Sequence, residues 1–255
     1  MIALRRMSVL IGALFAVTSV AHAQSVAPAA LTPVSVMSDA QTAYFTESIS
    51  SLDALSKRTR AWAESPQSLQ AYAYAYVQFR ALQLALLSDD EKRAKQVGGR
   101  CVDTLESLLK SNADFAEGHA LLSACYGYLA NLGGFAAIRN GSRSGKAIES
   151  ALALAPDHAR VLLISGFGVY FRPAFVGGDK AAGCQLFADA ATAFEQGAEA
   201  RATALGGHDW GAAEAYYFKG RCARDAGDAA TAASAFARSV ELAPGFKRAV
   251  KAAAP

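Results

Sequence analysis

The chain has 255 residues, of which 53% are hydrophobic and 18% are charged, and its formal net charge is +3. Much of the apolar content is Ala, while Val and Ile are sparse and no strand-like alternation is seen, so the composition predicts an all-α protein and excludes a β-sheet fold. The charge is small and forms no basic stripe, which gives no indication of nucleic-acid binding.

The first 23 residues have the three parts of a secretory signal peptide. Arg5 and Arg6 form a basic start, Val9–Val20 is an apolar run, and the A-x-A motif predicts cleavage after Ala23. A membrane anchor is the alternative, but the run is short and no later segment reaches about 18 uninterrupted apolar residues. Cleavage would lower the net charge from +3 to +1 and leave no membrane span. We therefore predict a soluble exported protein, periplasmic in a bacterium.

The start of the mature chain is predicted to be flexible. Residues 24–38 are small, contain Pro and lack a helical period, so we interpret them as a leader before a single domain over 39–255. The domain is predicted to begin with an amphipathic helix over 39–60, capped by Ser38 and Asp39.

Two helix pairs are predicted to follow, over 66–112 and 114–156. The first begins at Pro66 with a helix that is apolar on nearly all sides and therefore central, and residues 88–91 cap its second helix. In the second pair, glycines 133 and 134 interrupt the chain, and the partner helix is predicted over 144–154.

A third pair is predicted over 157–196 and a fourth over 209–244. Asp179 is expected to cap the second helix of the third pair. After a loop over 197–208 comes the last pair, and the tail over 246–255 is predicted to form a short capping helix.

The stretch Tyr216–Pro244 resembles the tetratricopeptide (TPR) motif, whose period is about 34 residues. Gly220 lies within its first helix, a Gly-Asp pair turns the chain, and Ala232 and Phe236 are four residues apart on the second helix. Small residues are needed where two helices cross closely, and Phe236 would fill the groove between them. The resemblance implies stacked helix pairs in a short TPR-like superhelix with one concave face, which is a binding scaffold rather than an enzyme.

Aromatic residues are the main candidates for a binding site because they fall largely on the first helices of the predicted pairs. In a TPR stack those helices line the concave face, and aromatic walls suit peptides or apolar ligands. Core packing between helices is the alternative role for each of them. The candidate set is Tyr72, Tyr76, Phe79, Tyr126, Tyr170, Phe175 and Tyr216.

The four cysteines are predicted to pair, because the expected compartment is oxidising. Cys101 and Cys125 are equidistant from a turn, and Cys184 and Cys222 are equidistant from the loop over 197–208. Antiparallel helices joined there would place each pair at equal height, which favours bridges Cys101–Cys125 and Cys184–Cys222. Four buried thiols are the alternative.

No residue pattern indicates a reaction, a metal or a cofactor. The histidines of the mature chain, His119, His158 and His208, lack zinc-site spacing. Residues 177–180 open a helix and could offer backbone N–H groups to an anion, although a turn with an N-cap is the ordinary interpretation. We therefore predict no catalytic residue, no metal ligand and no cofactor.

The stretch Phe171–Ala182, FRPAFVGGDKAA, is similar to a loop of exported TPR-like proteins, among them the TPR protein (T component) associated with TRAP transporters. That resemblance implies a channel or pocket for hydrophobic ligands. No Cys follows the predicted cleavage site, so we do not expect the lipid anchor typical of such proteins. Our first hypothesis is a non-catalytic periplasmic scaffold that binds an unidentified protein or peptide on its concave face. The second is a carrier of a small hydrophobic ligand.

Overall fold

The computed structural model describes residues 31–197 and 208–254, which form eleven α-helices and no strand. The predicted all-α class is therefore confirmed. The helices are α1 (Pro33–Phe45), α2 (Ile49–Arg58), α3 (Ser68–Leu87), α4 (Glu91–Ser111), α5 (Ala116–Ala130), α6 (Gly134–Leu154), α7 (Ala159–Phe171), α8 (Lys180–Glu195), α9 (Ala212–Asp225), α10 (Ala229–Leu242) and α11 (Lys247–Ala253).

Four antiparallel hairpins make up most of the fold: α3–α4, α5–α6, α7–α8 and α9–α10. Each hairpin also packs against the next, for example α4 on α5 and α8 on α9, so the hairpins stack in chain order. Helices α1 and α2 pack on α3 at one end, and α11 packs on α10 at the other. This is the TPR-like arrangement that the spacing predicts.

Aspartate side chains begin three of the second helices. The carboxylates of Asp90, Asp179 and Asp228 each accept a hydrogen bond of 3.0 Å from the backbone N–H three residues later. These carboxylates provide acceptors for backbone N–H groups that otherwise have no partner at the start of a helix. The predicted caps at residues 88–91 and at Asp179 are therefore confirmed.

Glycines permit the close crossings inside the hairpins. A Cβ atom on Gly220 would lie 2.7 Å from the ring of Phe236, and one on Gly166 would lie 2.7 Å from the ring of Phe187. Both phenylalanines are almost completely buried. The hairpins therefore interlock through a ring seated on a glycine, as the sequence of the last pair predicts.

The structured part of the chain begins earlier than predicted. Helix α1 starts at Pro33, and Val36 and Met37 are fully buried, so residues 33–38 belong to the domain and not to a leader. The physical reason is a capping box, in which the side chains of Thr32 and Ser35 each accept a hydrogen bond from the other residue's backbone N–H. The predicted signal peptide and residues 24–30 lie outside the described residues.

Two other predicted boundaries are corrected. The single helix predicted over 39–60 is two helices, because Glu47 takes a positive φ of 56° and Ser48 caps α2. Helix α6 begins at Gly134, ten residues before the predicted start at 144. Gly133 and Gly134 both have positive φ angles and make a tight turn there, after which the chain is helical at once.

Two disulfides link successive hairpins. Cys101 of α4 is bonded to Cys125 of α5, and Cys184 of α8 to Cys222 of α9, with Cα–Cα distances of 6.3 and 5.7 Å. The pairing is the predicted one. Each bridge closes a loop of the chain and so restricts the unfolded state.

The two ends of the stack meet. The ring of Phe246, just before α11, stacks on that of Phe45 at the end of α1, with 4.4 Å between centroids. The superhelix therefore closes on itself within the described residues. None of the helices in those ranges is both long and apolar enough to cross a membrane.

Candidate binding site

Six of the seven predicted site aromatics lie in the core. Tyr72, Tyr76 and Phe79 are at most 1% exposed, and the remaining three, Tyr126, Tyr170 and Tyr216, are at most 8% exposed. Phe175, by contrast, is 89% exposed. The structure therefore does not bring this set together as an accessible wall.

Trp210 is the reason that the aromatics of α3 are covered. Its indole N–H donates a hydrogen bond of 3.2 Å to the hydroxyl of Tyr72, and its ring centroid lies 5.2 Å from that of Tyr76. The segment that precedes α9 thus fills the inner side of the first hairpin. Trp210 lies within the predicted fourth pair over 209–244 but is not among the predicted site aromatics, which are chosen for their places on first helices. The structure has it just before α9, which begins at Ala212.

A buried ion pair lies beneath this layer. The Arg80 guanidinium bonds to a carboxylate oxygen of Glu214, to the hydroxyl of Tyr76 at 2.7 Å and to the side-chain oxygen of Gln83 at 2.9 Å. The side chains of Arg80 and Glu214 are 1% and 3% exposed. Arg80 also lies 4.3 Å from the ring centroid of Tyr44, so α1, α3 and α9 meet at this cation.

A second buried cation, Arg160, holds the segment that precedes α9. Arg160 of α7 donates two hydrogen bonds, of 2.7 and 2.8 Å, to the carboxylate of Glu117 on α5 and a third to Asp209. His158 lies 3.2 Å from the same Glu117 carboxylate. Burial alone would raise the pKa of Glu117, but the bonds from His158 and Arg160 keep it below its usual value. Such a carboxylate stays ionised and is poorly suited to act as a general acid.

His208 is a neutral member of this region. Burial, together with the charges of Arg160 and Arg80, lowers the pKa of its imidazole to about 4. At neutral pH this ring therefore adds no charge to a site already occupied by two guanidinium groups. Its edge faces the ring of Tyr76, with 6.2 Å between the centroids.

Besides Phe171 at the end of α7, aromatic side chains within the inner helices also reach solvent. Tyr128 on α5, Phe167 on α7 and Tyr217 on α9 are half-buried. Tyr128 accepts a hydrogen bond of 3.0 Å from Gln83, and Tyr217 lies 5.2 Å from Phe246 between ring centroids. These rings are held in place by their neighbours but still reach solvent. A partner could therefore contact them, and aromatic residues are enriched at protein interfaces.

Surface clefts are lined by the described residues at two places considered for a ligand. One, of about 250 Å³, lies between α1 and the end of α10 and is lined by Gln41, Phe45 and Leu242 among others. The other, of about 510 Å³, lies at the α7–α8 turn and is lined by Tyr170, Phe171, Arg172, Pro173, Ala174, Gly178, Lys180 and Arg221. Among the described residues, the wall of the second cleft has three cations and no carboxylate.

Metal ligation has no support in the described ranges, where no group of three or more His, Cys, Asp or Glu side chains is arranged to hold an ion. His119 bonds to the carbonyl oxygen of Ala113 at 2.9 Å, and His158 to Glu117. Each of these two histidines therefore has a structural partner.

Stacked antiparallel hairpins with ring-on-glycine crossings define this chain as a TPR-like helical-repeat protein. A crystal structure of TTC0263, described as a thermophilic TPR protein in Thermus thermophilus, is similar to it, with a TM-score of 0.53 and 15% sequence identity. The match covers 86% of this chain and 96% of that chain, and it establishes likeness of fold only. No family model and no curated protein sequence matches the chain.

Proposed function

We propose that this protein is an exported, non-catalytic scaffold that binds a protein or peptide. The observation that carries the proposal is the TPR-like stack itself, because stacked hairpins present an extended surface on rigid elements. The ion pairs of Arg80 and Arg160 support the absence of catalysis. They join helices from different hairpins, which is a structural use of their charge.

The partner is proposed to lie along the concave face, against the half-buried rings of Tyr128, Phe167 and Tyr217. The buried tyrosines of the predicted set, such as Tyr72 and Tyr76, would support this surface from beneath. Arg221, 5.9 Å from the ring centroid of Tyr217, would add a cation at its edge. Aromatic and Arg side chains are the residues that contribute most at protein interfaces.

Export to the periplasm is part of the proposal. It is supported by the signal-like sequence up to Ala23 and by the two disulfides, since such bonds persist in oxidising compartments. Mass spectrometry of the protein from a periplasmic fraction tests it: a mature N-terminus at Gln24 is expected, and an intact N-terminus in the cytosolic fraction would contradict it.

A photo-crosslinking experiment tests the binding surface. A benzophenone amino acid is introduced at Tyr128, Phe167 or Tyr217, and at Leu154 as the control, a position that is 44% exposed at the end of the outer helix α6. In periplasmic extract we expect the inner positions to form one adduct of fixed mass and Leu154 to form none. Adducts only at Leu154, or none at any position, would contradict the concave-face proposal.

A carrier of a small hydrophobic ligand is the second candidate. It rests on the cleft of about 510 Å³ beside Tyr170 and Phe171, and on the resemblance of its loop to TRAP-associated TPR proteins. Carrier sites enclose most of the ligand surface, whereas this cleft is open and carries three cations, so the scaffold is better supported. Organic extraction of the purified protein distinguishes them, because a stoichiometric apolar compound is expected only for a carrier.

A further inference from the structure

The turns inside the four hairpins share one edge of the stack. Each hairpin runs from an inner to an outer helix, and the stacked hairpins point the same way, so the turns at 88–90, 131–133, 172–179 and 226–228 lie side by side. We call this border the turn edge. The connections between hairpins, such as residues 155–158, lie at the opposite edge.

The turn edge carries the largest exposed apolar side chains of the described residues. Phe135 and Ile138 at the start of α6 are 95% and 77% exposed, and Phe175 and Val176 in the α7–α8 turn are 89% and 53% exposed. Phe171 next to them is 47% exposed. The two groups belong to adjacent hairpins, which places both of them at the turn edge.

Glycines shape the two turns beside these side chains. Gly133 and Gly134 have φ angles of +77° and +68° immediately before Phe135, and Gly177 has a φ of +88° immediately after Val176. Residues with a Cβ rarely adopt such angles. The two turns next to the exposed apolar side chains therefore depend on glycine.

Cations lie in or next to the same turns as the exposed apolar side chains. Arg139 and Lys180 are exposed, and the cleft beneath Phe171 is lined by Arg172, Lys180 and Arg221. Carboxylates are also near: Asp179 caps α8, Asp225 lies 3.5 Å from the hydroxyl of Tyr170, and Glu106 lies 4.0 Å from Arg143. Between residues 131 and 148 the sequence has Arg139, Arg143 and Lys146 and no acid.

We propose that the turn edge of the second and third hairpins docks on the surface of a bilayer that contains anionic lipid. Apolar side chains that protrude from a rim can enter the boundary of the acyl chains, while the surrounding cations contact lipid phosphates. A peptide partner would require a groove, whereas Phe135, Ile138 and Phe175 line neither of the two clefts described above. This interaction is separate from the partner binding proposed on the concave face.

Vesicle co-sedimentation of the mature protein tests the proposal. The vesicles are phosphatidylcholine alone, or the same lipid with about a third phosphatidylglycerol, at low and physiological salt. We expect the protein to bind the anionic vesicles, with affinity that falls as salt is raised. Binding to neither vesicle, or equal binding to both, would overturn the proposal.

Paired variants separate the two contributions. Phe135→Ser with Phe175→Ser is expected to reduce partitioning at least about 10-fold, because two rings no longer enter the bilayer. Arg172→Gln with Lys180→Gln is expected to reduce it about 10-fold at low salt and to weaken the preference for phosphatidylglycerol. Leu154→Ser with Leu242→Ser, at positions 44% and 41% exposed and away from the turn edge, is the matched control and should bind as the parent does.

Melting temperatures, anion competition and partner binding also test the membrane-docking proposal. All substituted side chains reach solvent, so melting temperatures should stay close to that of the parent, and a variant that keeps its fold but binds vesicles unchanged refutes the role of its residues. Inorganic phosphate that competes better than chloride at equal ionic strength would indicate a small-anion site in place of a membrane surface. Loss of a protein partner by the Phe135→Ser, Phe175→Ser variant, with no vesicle binding by the parent, would assign the edge to a protein.

Discussion

Replacing Glu214 by Ala should destabilise the whole stack, because it breaks the ion pair that joins the first hairpin to the last. The Arg80 guanidinium would then stay buried, at 1% exposure, without its carboxylate. Truncating one partner of a buried pair typically costs about 3–5 kcal/mol.

The cost should fall near the lower end of that range. Arg80 would keep its hydrogen bonds to Tyr76 and Gln83, at 2.7 and 2.9 Å, and its position 4.3 Å from the ring centroid of Tyr44. We therefore expect a loss of about 3 kcal/mol in the free energy of unfolding and a melting temperature lower by roughly 10 °C.

Guanidinium denaturation followed by circular dichroism measures the effect. Glu241→Ala, which removes a carboxylate that is 68% exposed from its bond to Arg238, is the matched control and should leave the midpoint unchanged. The double variant Arg80→Met, Glu214→Leu should be more stable than Glu214→Ala, since it leaves no buried charge without a partner. Equal midpoints for Glu214→Ala and Glu241→Ala would refute the reasoning.

Three further predictions concern the same scaffold. Gly220→Leu should lower the free energy of unfolding by at least about 2 kcal/mol, because a Cβ at this position already lies 2.7 Å from the Phe236 ring. Gly141→Leu is the control and should cost little, because nothing lies within 4 Å of a Cβ there. Equal denaturation midpoints for the two variants would contradict this crossing. Peptide mapping without reductant should recover Cys101–Cys125 and Cys184–Cys222, and Cys184→Ser with Cys222→Ser should lose about 2–4 kcal/mol; free thiols in the parent would contradict the pairing. The pKa of His208 is lowered to about 4 in the folded state, so the unfolded state binds the proton more tightly. The stability that the neutral ring contributes is fully present above about pH 6.5, and the free energy of unfolding should fall by up to ~3 kcal/mol toward pH 4. Melting curves of His208→Gln, recorded over the same pH range, should lack this contribution.

Local features of the fold could be predicted from the sequence because they depend on short-range chemistry. The caps at Asp90 and Asp179 need only a carboxylate three residues before a backbone N–H that lacks a helical partner. The close crossing at Gly220 needs only a small residue opposite an aromatic ring. The cysteine pairing followed from equal distances to a turn. Each of these needs only a turn and the helices beside it.

Features that depend on the whole superhelix could not be predicted in this way. Helical spacing places Tyr72, Tyr76 and Phe79 on an inner face, but it does not say how tightly the stack curves. Because Trp210, from the segment that precedes α9, packs against α3, these three aromatics become core. The α1 boundary was missed for a simpler reason: a Pro-containing stretch was interpreted as flexible although Pro is well suited to the first turn of a helix.

Helical spacing also could not predict which apolar residues of the candidate surfaces are exposed. Phe135 and Ile138 have the i, i+3 pattern of a buried stripe, yet they extend past the crossing of α5 and α6, so no helix covers them. Only the position of the crossing, marked by Ser144 bonded to Ser123, distinguishes such a stripe from core.

The contact of Phe246 with Phe45 has a consequence for how the chain folds. In an open solenoid each repeat touches only its neighbours, so repeats can fray from an end or be deleted with a local cost. Here residues about 200 positions apart share one ring stack, and Arg80 and Glu214 are 134 positions apart. Deleting the terminal hairpin should therefore expose the first one, and the array is expected to melt in a single cooperative transition instead of unzipping repeat by repeat.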